Sequence, residues 1–152
     1  MIVANRDIIL LNKRYDKTSR RDVYYATKIS GVSYHHGHQS SKGTGYHERE
    51  EMYKIRIPLD AQVQGNRTYL PEAYYDALAD EEVCNHWTLH TEDIVIVCLP
   101  EVGVPDTALD DRQVKELTGT VGAERRAIHI VDYADNTLRG SDTVKHWRIG
   151  GA

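Results

Sequence analysis

The chain has 152 residues, of which 40% are hydrophobic and 28% charged, and its formal net charge is -4. This composition is ordinary for a single soluble globular domain spanning residues 1–152. No apolar run approaches the roughly 20 residues that a transmembrane helix needs, the N-terminus lacks a signal-peptide core, and two cysteines make no disulfide framework, so we expect a protein that folds in a cytoplasm without a membrane partner.

The first third of the chain predicts two strands and a long loop. Residues 8–15 form an apolar run that becomes mixed, and residues 23–34 are rich in β-branched and aromatic side chains. Gly31 within the second run predicts a bulge or bend. Residues 35–50 are polar and glycine-rich and contain four of the chain's eight histidines, so we expect a long hairpin loop there.

The remainder of the chain continues the β pattern with short helical interruptions. Residues 52–59 alternate, with Tyr53, Ile55, Ile57 and Leu59 on the side expected to be buried. Further strands are predicted at 68–70, 87–90, 93–99, 126–133 and 144–149, and short helices at 72–79 and 110–117, with Asp80 capping a further turn. About six substantial strands without a βαβ rhythm predict a mainly β fold, a small antiparallel barrel or sandwich.

Charge is distributed unevenly along the chain. Residues 1–34 contain seven Lys or Arg and three Asp, hence +4, whereas residues 71–93 contain seven acidic residues and no Lys or Arg, hence -7. The two segments are either separate solvated faces or complementary surfaces of a head-to-tail contact between copies. For the second alternative, the candidate interface residues are Arg14, Arg20, Arg21, Glu72, Asp76, Asp80, Glu81 and Glu82.

The histidine-rich segment allows three interpretations. His35, His36, His38 and His47 are a ligand set for zinc or nickel, but the flanking residues supply no cysteine or ligand-spaced carboxylate, so we expect no bound metal. The alternatives are a mobile polar loop and a contact loop for nucleic acid or protein. His86 and His90, four residues apart, would form a metal pair on a helix, but they lie in a segment predicted as a strand or turn, where we expect the two side chains to splay apart.

No catalytic signature is present, and we expect neither enzymatic activity nor a cofactor. Gly43-Thr44-Gly45 lacks the ending and the setting of a phosphate loop, and no nucleophile elbow occurs. A single-strand nucleic-acid binder on an OB-like barrel is a further hypothesis, with Tyr24, Tyr25, Tyr34 or Tyr53 as stacking platforms. Packing within a barrel is the simpler interpretation of these tyrosines.

Several stretches resemble a family of small uncharacterised phage and prophage proteins of Gram-positive bacteria. They are residues 6–16, 31–34, 53–60, 86–89, 139–141 and 146–149. The genes of that family lie among those for head and tail assembly, which implies a virion structural role. Because the shared motifs are strands and turns, the resemblance implies no catalytic residue.

Among connector proteins, the predicted β fold with a long loop is similar to head-closure, or stopper, proteins. The resemblance implies a six-fold or twelve-fold ring at the virion neck, with the adaptor and portal above, the tail terminator below and packaged double-stranded DNA in the channel. Lys42 and Arg49 balance Glu48 and Glu50, so the loop is suited to weak contact with DNA. The implied channel-loop residues are His35, His36, His38, Gln39, Lys42, Tyr46, His47 and Arg49. Tail terminator, tail completion and minor capsid proteins are the alternatives.

Overall fold

The computed structural model describes residues 6–36, 53–98, 107–119, 126–141 and 144–152. Within these ranges the chain forms nine strands, two helices and two 3-10 turns, the turns at Gln64–Asn66 and Val83–Asn85. The strands and helices in chain order are β1 (Arg6–Asp16), β2 (Arg21–His36), β3 (Tyr53–Pro58), β4 (Gln62–Val63), β5 (Thr68–Tyr69), α1 (Glu72–Asp76), β6 (His86–Trp87), β7 (Ile94–Cys98), α2 (Asp111–Gly119), β8 (Arg126–Asn136) and β9 (His146–Gly151).

Six of the strands form a closed ring of hydrogen-bonded pairs. The order β1, β7, β8, β9, β3, β2 returns to β1, and each neighbouring pair is antiparallel. β4 adds to an edge of β2, and β5 pairs with β6 in parallel. The predicted mainly β fold of about six antiparallel strands with short helices is therefore confirmed, and the closed circuit of pairs is the arrangement that removes free edges in small barrels.

Strand β1 is buried on both of its faces. Ile8 and Leu10 belong to the main core, whereas Ile9 and Leu11 belong to a second cluster that includes Leu109 and a residue of α2. All four strand residues have no exposed surface. Burial on both faces explains the unbroken apolar run, because neither face of the strand meets solvent and so neither favours polar residues. In β3, by contrast, buried and exposed residues alternate from Tyr53 to Ile57 as the sequence predicts, whereas Pro58, expected on the exposed side, is buried.

A bulge at Gly31 redirects β2 from one neighbour to the other. Arg6 pairs with Val32 and Asp7 with Ser30, so Gly31 is the extra residue, and its φ of 83° lies in the region that favours glycine. Before the bulge β2 pairs with β1, and after it, from Ser33, β2 pairs with β3. The bulge predicted at this glycine is thus confirmed, and it allows the ring to close.

The residues of β2 that do not pair with β3 have their backbone edge on that side covered by other groups. Tyr24 and Leu109 exchange two backbone hydrogen bonds of 2.8 and 2.7 Å. Arg67, only 7% exposed, donates through Nη1 to the backbone oxygen of Ala26 at 2.8 Å. β4 pairs with the residues just before the bulge. These contacts satisfy an edge that would otherwise be open to other strands.

The two ends of the ring differ. We call one end the base: there the turn 17–20 joins β1 to β2, β3 ends at Pro58 and β8 ends at Asn136. Residues 59–93 follow Pro58 and contact the base before the chain re-enters the ring as β7.

Within the described residues, neither helix has the length and hydrophobicity needed to cross a bilayer.

We call the opposite end the rim. His36 at the end of β2 pairs with Tyr53 at the start of β3, so the connection 37–52 leaves and re-enters at the rim. β7 also ends and β8 also begins at this end.

Three local predictions for residues 59–93 were wrong. Leu59 is 42% exposed because the strand ends at Pro58, whose carbonyl accepts a turn hydrogen bond. Helix α1 ends at Asp76 rather than at residue 79, and Arg14 donates to backbone oxygens at and beyond that end. The strand predicted at 87–90 is limited to His86–Trp87, because the next residues form side-chain contacts instead of a ladder.

Candidate functional site

A cleft lined by described residues opens at the base, beside strand β1. It has a volume of about 770 Å³. One wall is the β1–β2 hairpin from Lys13 to Asp22, and the other walls are residues 76–80 and 90–93. The basic N-terminal segment and the acidic segment of the sequence therefore face each other within one molecule.

Asp93 lies at the bottom of this cleft and is 1% exposed. Its carboxylate accepts hydrogen bonds from Asn12 Nδ2 at 2.9 Å, the Lys13 backbone N–H at 3.1 Å, and the backbone N–H and Nδ1 of His90 at 3.3 and 2.9 Å. Four donors compensate for the loss of water around a buried carboxylate.

Asn12, also 1% exposed, connects this carboxylate to the backbone of the base segment. Its Nδ2 donates to the Thr88 oxygen at 2.7 Å and its Oδ1 accepts from the Thr88 N–H at 3.2 Å. The side-chain amide thus satisfies Thr88 as a neighbouring strand would. Asn12, Asp93, His90 and Asp76 are hereafter called the polar network.

His90 lies between two carboxylates. Nδ1 bonds to Asp93 and Nε2 to Asp76 Oδ1, each at 2.9 Å, and its side chain is 16% exposed. Burial opposes protonation, but the hydrogen bonds and charges of Asp93 and Asp76 outweigh it and raise the pKa of His90 to about 9. The imidazole therefore carries a proton at neutral pH and acts as a charged link between the two carboxylates, which is unsuitable for a general base.

Arg14 fastens helix α1 to strand β1. Its guanidinium donates to the Tyr75 oxygen at 3.0 Å, to the Leu78 oxygen and to Asp80 Oδ1 at 3.2 Å. A cation at the C-terminal carbonyls of a helix is favourable in the field of the aligned peptide dipoles. The arginine is thus engaged in positioning the cleft wall.

A second cleft of about 560 Å³ opens on another side of the base. Trp87, Tyr69 and Trp147 pack there with ring centroids 4.9 to 5.3 Å apart, in edge-to-face or tilted orientations. Burial raises the pKa of Tyr69 to about 12. These three residues are hereafter called the aromatic cluster, and they join residues 59–93 to strand β9.

The sequence matches a family of unknown function, DUF6751, over residues 2–152. The chain belongs to this family. Searches of curated proteins and of solved structures returned no match.

The channel-loop residues named from the sequence are only partly placed by the structure. His35 and His36 were expected in the loop, but both belong to strand β2, where they pair with Lys54 and Tyr53. The loop boundary at residue 35 was therefore wrong, because the ladder with β3 extends two residues further than the polar composition indicated. The residues that lie outside the described ranges are His38, Gln39, Lys42, Tyr46, His47 and Arg49.

Half of the candidate interface residues have partners within the chain. Arg14 pairs with Asp80, Asp76 with His90, and Glu72 Oε2 accepts a hydrogen bond from the Tyr133 hydroxyl at 2.7 Å. The other candidates are exposed and remain available for the subunit-interface hypothesis: Arg20, Arg21, Glu81 and Glu82.

The two ligand-binding hypotheses gain no geometric support from the described residues. Within those ranges, no three His, Cys, Asp or Glu residues are grouped so as to hold a metal ion. His86 contacts Thr68, whereas His90 contacts Asp93 and Asp76. Tyr53, a candidate stacking platform, is only 7% exposed and stacks on Tyr34 with centroids 6.3 Å apart.

Sequence reasoning missed the polar network. Asn12 directly follows the buried run of β1, and Asp93 directly precedes the buried run of β7. A polar residue directly at the end of an apolar strand is the signal that was available. The sequence did not show that β1 and β7 are adjacent in the ring and bring Asn12 and Asp93 into contact.

Proposed function

We propose that this protein is a structural subunit of the phage head–tail connector, in the head-closure ring below the portal and adaptor. In this role it would retain packaged DNA and provide a docking surface for the tail. The resemblance of its strands and turns to phage morphogenesis proteins supports the proposal. We propose no catalytic activity for it, and we propose the virion neck as its location.

The observation that carries the proposal is the β2–β3 hairpin. A closed ring of strands holds this hairpin by pairing on both sides, β1 with β2 and β9 with β3. The connection 37–52 therefore starts and finishes at a fixed point on the rim. Retention of DNA requires such an arrangement, since an element that blocks a channel must be anchored in a rigid frame.

Assembly into a ring requires a heterologous contact that closes on itself. The exposed charges Arg20 and Arg21 on the β1–β2 hairpin and Glu81 and Glu82 after α1 are of opposite sign. We propose that they guide neighbouring copies into register, in a six-fold or twelve-fold ring. Charge pairs of this kind contribute more to orientation and association rate than to affinity.

The first test is location in the particle. Particles produced by the bacterium that carries the gene are purified and labelled with a gold-tagged antibody against the chain. We expect label at the junction of head and tail. Label at the distal end of an otherwise complete neck supports the tail-terminator alternative instead, and absence of the chain from purified particles contradicts a virion role altogether.

The second test is the length of the hairpin connection. Replacing residues 38–51 by a short glycine-serine turn should leave folding intact and yield heads that lose DNA, measured as the ratio of full to empty particles. The matched control keeps the length and replaces His38 and His47 by glutamine, and we expect it to retain DNA. Full, infectious particles from the shortened variant would contradict the DNA-retention role.

A further inference from the structure

Strand β1 has a backbone edge that continues past its last partner. β7 pairs with β1 from Asp7 to Leu11, and within the described residues no strand pairs with that edge beyond Leu11. The Lys13 N–H points to this side, because it donates to Asp93 Oδ1 at 3.1 Å. In an antiparallel strand the N–H and C=O of alternate residues point to the same side. The N–H and C=O of Tyr15 therefore also face away from β2.

The register of the opposite strand supports this assignment. Lys13 pairs with Tyr24, and Tyr24 uses both backbone groups to bond Leu109 on the far side of β2. Lys13 and Tyr24 are thus a pair without mutual hydrogen bonds, and so is the next such pair, Tyr15 with Asp22. On this edge the Lys13 N–H is engaged with Asp93, and Tyr15 offers its N–H and C=O to a further strand.

This edge forms a wall of the 770 Å³ cleft. At about 3.3 Å per residue, the four residues from Lys13 to Asp16 extend roughly 13 Å. The volume lies within the roughly 300 to 1,000 Å³ of typical ligand clefts. The cleft is therefore long and wide enough for a short extended peptide lying in line with β7.

The opposite wall is acidic. Asp76 and Asp80 have side chains that are 55% and 65% exposed, and Glu92 is also exposed. Two of the cations on the hairpin side are engaged, Arg14 with backbone oxygens and Asp80, and Lys13 with Asp22 at 3.5 Å. Lys17, which also lines the cleft, is exposed on the hairpin side and pairs with no carboxylate among the described residues. A ligand with lysine or arginine side chains directed at this wall complements it.

We propose that the cleft binds an extended, basic segment of a partner protein, which adds as a strand to β1 beside Lys13–Asp16. Backbone hydrogen bonds to Tyr15 hold the segment, and the carboxylates of Asp76, Asp80 and Glu92 select its side chains. This is the β-augmentation mode of peptide recognition. The inference does not depend on the connector role.

The test is selection from a random heptapeptide display library on the purified full-length chain, with Tyr15→Pro as the counter-selection bait. Proline removes the N–H that faces the cleft, and this N–H is no part of the ladder with β2. We expect enriched peptides with Lys or Arg at alternate positions, tenfold or more weaker on Tyr15→Pro. Tyr15→Ala keeps the N–H and is the matched control, with affinity within threefold of the wild type.

A second variant makes the result independent of the stability of the proline variant. Asp80→Asn combined with Glu92→Gln should weaken the selected peptide at least fivefold and reduce its preference over an acidic peptide of the same length. Amide hydrogen exchange of Tyr15 should slow when the peptide binds. The proposal is overturned if no peptide is enriched or if Tyr15→Pro binds equally. Self-association abolished by Tyr15→Pro would equally overturn it, because the occupant would then be a second copy.

Discussion

Residues 59–93 are fixed to the base of the ring by the aromatic cluster on one side and by the polar network on the other, and the two contacts differ in chemistry. Tyr69, Trp87 and Trp147 bury large apolar rings, whose attraction has little directional dependence. Asn12, Asp93 and His90 are joined by hydrogen bonds of 2.9 Å, which fail if either partner is displaced.

The difference indicates a division of roles. The apolar contact contributes free energy regardless of pH, whereas the polar contact fixes one register of the segment and contributes only while its ionisation states are maintained. The polar side also borders the cleft where, among the described residues, no strand pairs beyond Leu11 with the edge of β1 that faces away from β2. The hydrogen bonds that fix the position of residues 59–93 therefore lie next to the candidate binding site. The apolar contacts, which contribute free energy regardless of pH, lie on the other side of the base.

The largest expected effect is on the aromatic side. Trp87→Ala removes a side chain that is 1% exposed and contacts both other rings. We expect a loss of about 3 to 5 kcal/mol in the free energy of unfolding, as for other buried aromatic truncations, measured by urea denaturation. The loss should be equal at pH 6 and pH 10. Tyr69→Phe keeps the ring and serves as control; a comparable loss in that variant would show that the rings are not the source of the stability.

On the polar side we expect the contribution of His90 to the free energy of unfolding to depend on pH. The folded pKa of His90, about 9, is above its ordinary value of 6.5, so its contribution is complete below about pH 6.5 and disappears as pH rises through 9. The difference corresponds to roughly 3 kcal/mol. Urea unfolding at pH 6 and pH 10 measures it, and His90→Gln is the control that should show a smaller change. An equal pH dependence in both proteins would assign the effect to other groups.

The strands could be predicted from the sequence because the patterns that identify a strand lie within a few consecutive residues. The alternation in β3, the continuous runs in β1 and β7 and the glycine of the bulge are each contained in a few consecutive residues. Backbone conformation and the number of buried faces determine these patterns directly. These local patterns do not say which strands pair with each other. A barrel and a sandwich can be built from the same strands paired differently, so the closed ring could not be predicted from them.

The polar network could not be predicted because its members are far apart in the sequence. Asn12 and Asp93 are separated by 81 positions, and Arg67 reaches the edge of β2 across 41. A single asparagine or arginine carries no information about its partner until the ring brings the strands together. The charge of the two segments was recognised and interpreted either as two separate solvated faces or as a contact between copies, whereas Arg14 and Asp80 pair within one chain.

The smallest loss of stability should come from a change at Tyr133. Its side chain combines an apolar ring with a hydrogen-bonding hydroxyl. Its ring packs against the main core, and its hydroxyl donates to Glu72 of α1 at 2.7 Å near solvent. Tyr133→Phe removes only the hydrogen bond, so we expect a loss of about 0.5 to 1 kcal/mol in urea unfolding. Tyr133→Ala also removes the ring and should cost at least twice as much. If the two variants were equally destabilised, the hydroxyl would account for the whole contribution of this residue, and directional contacts would then provide stability as well as placement at the base.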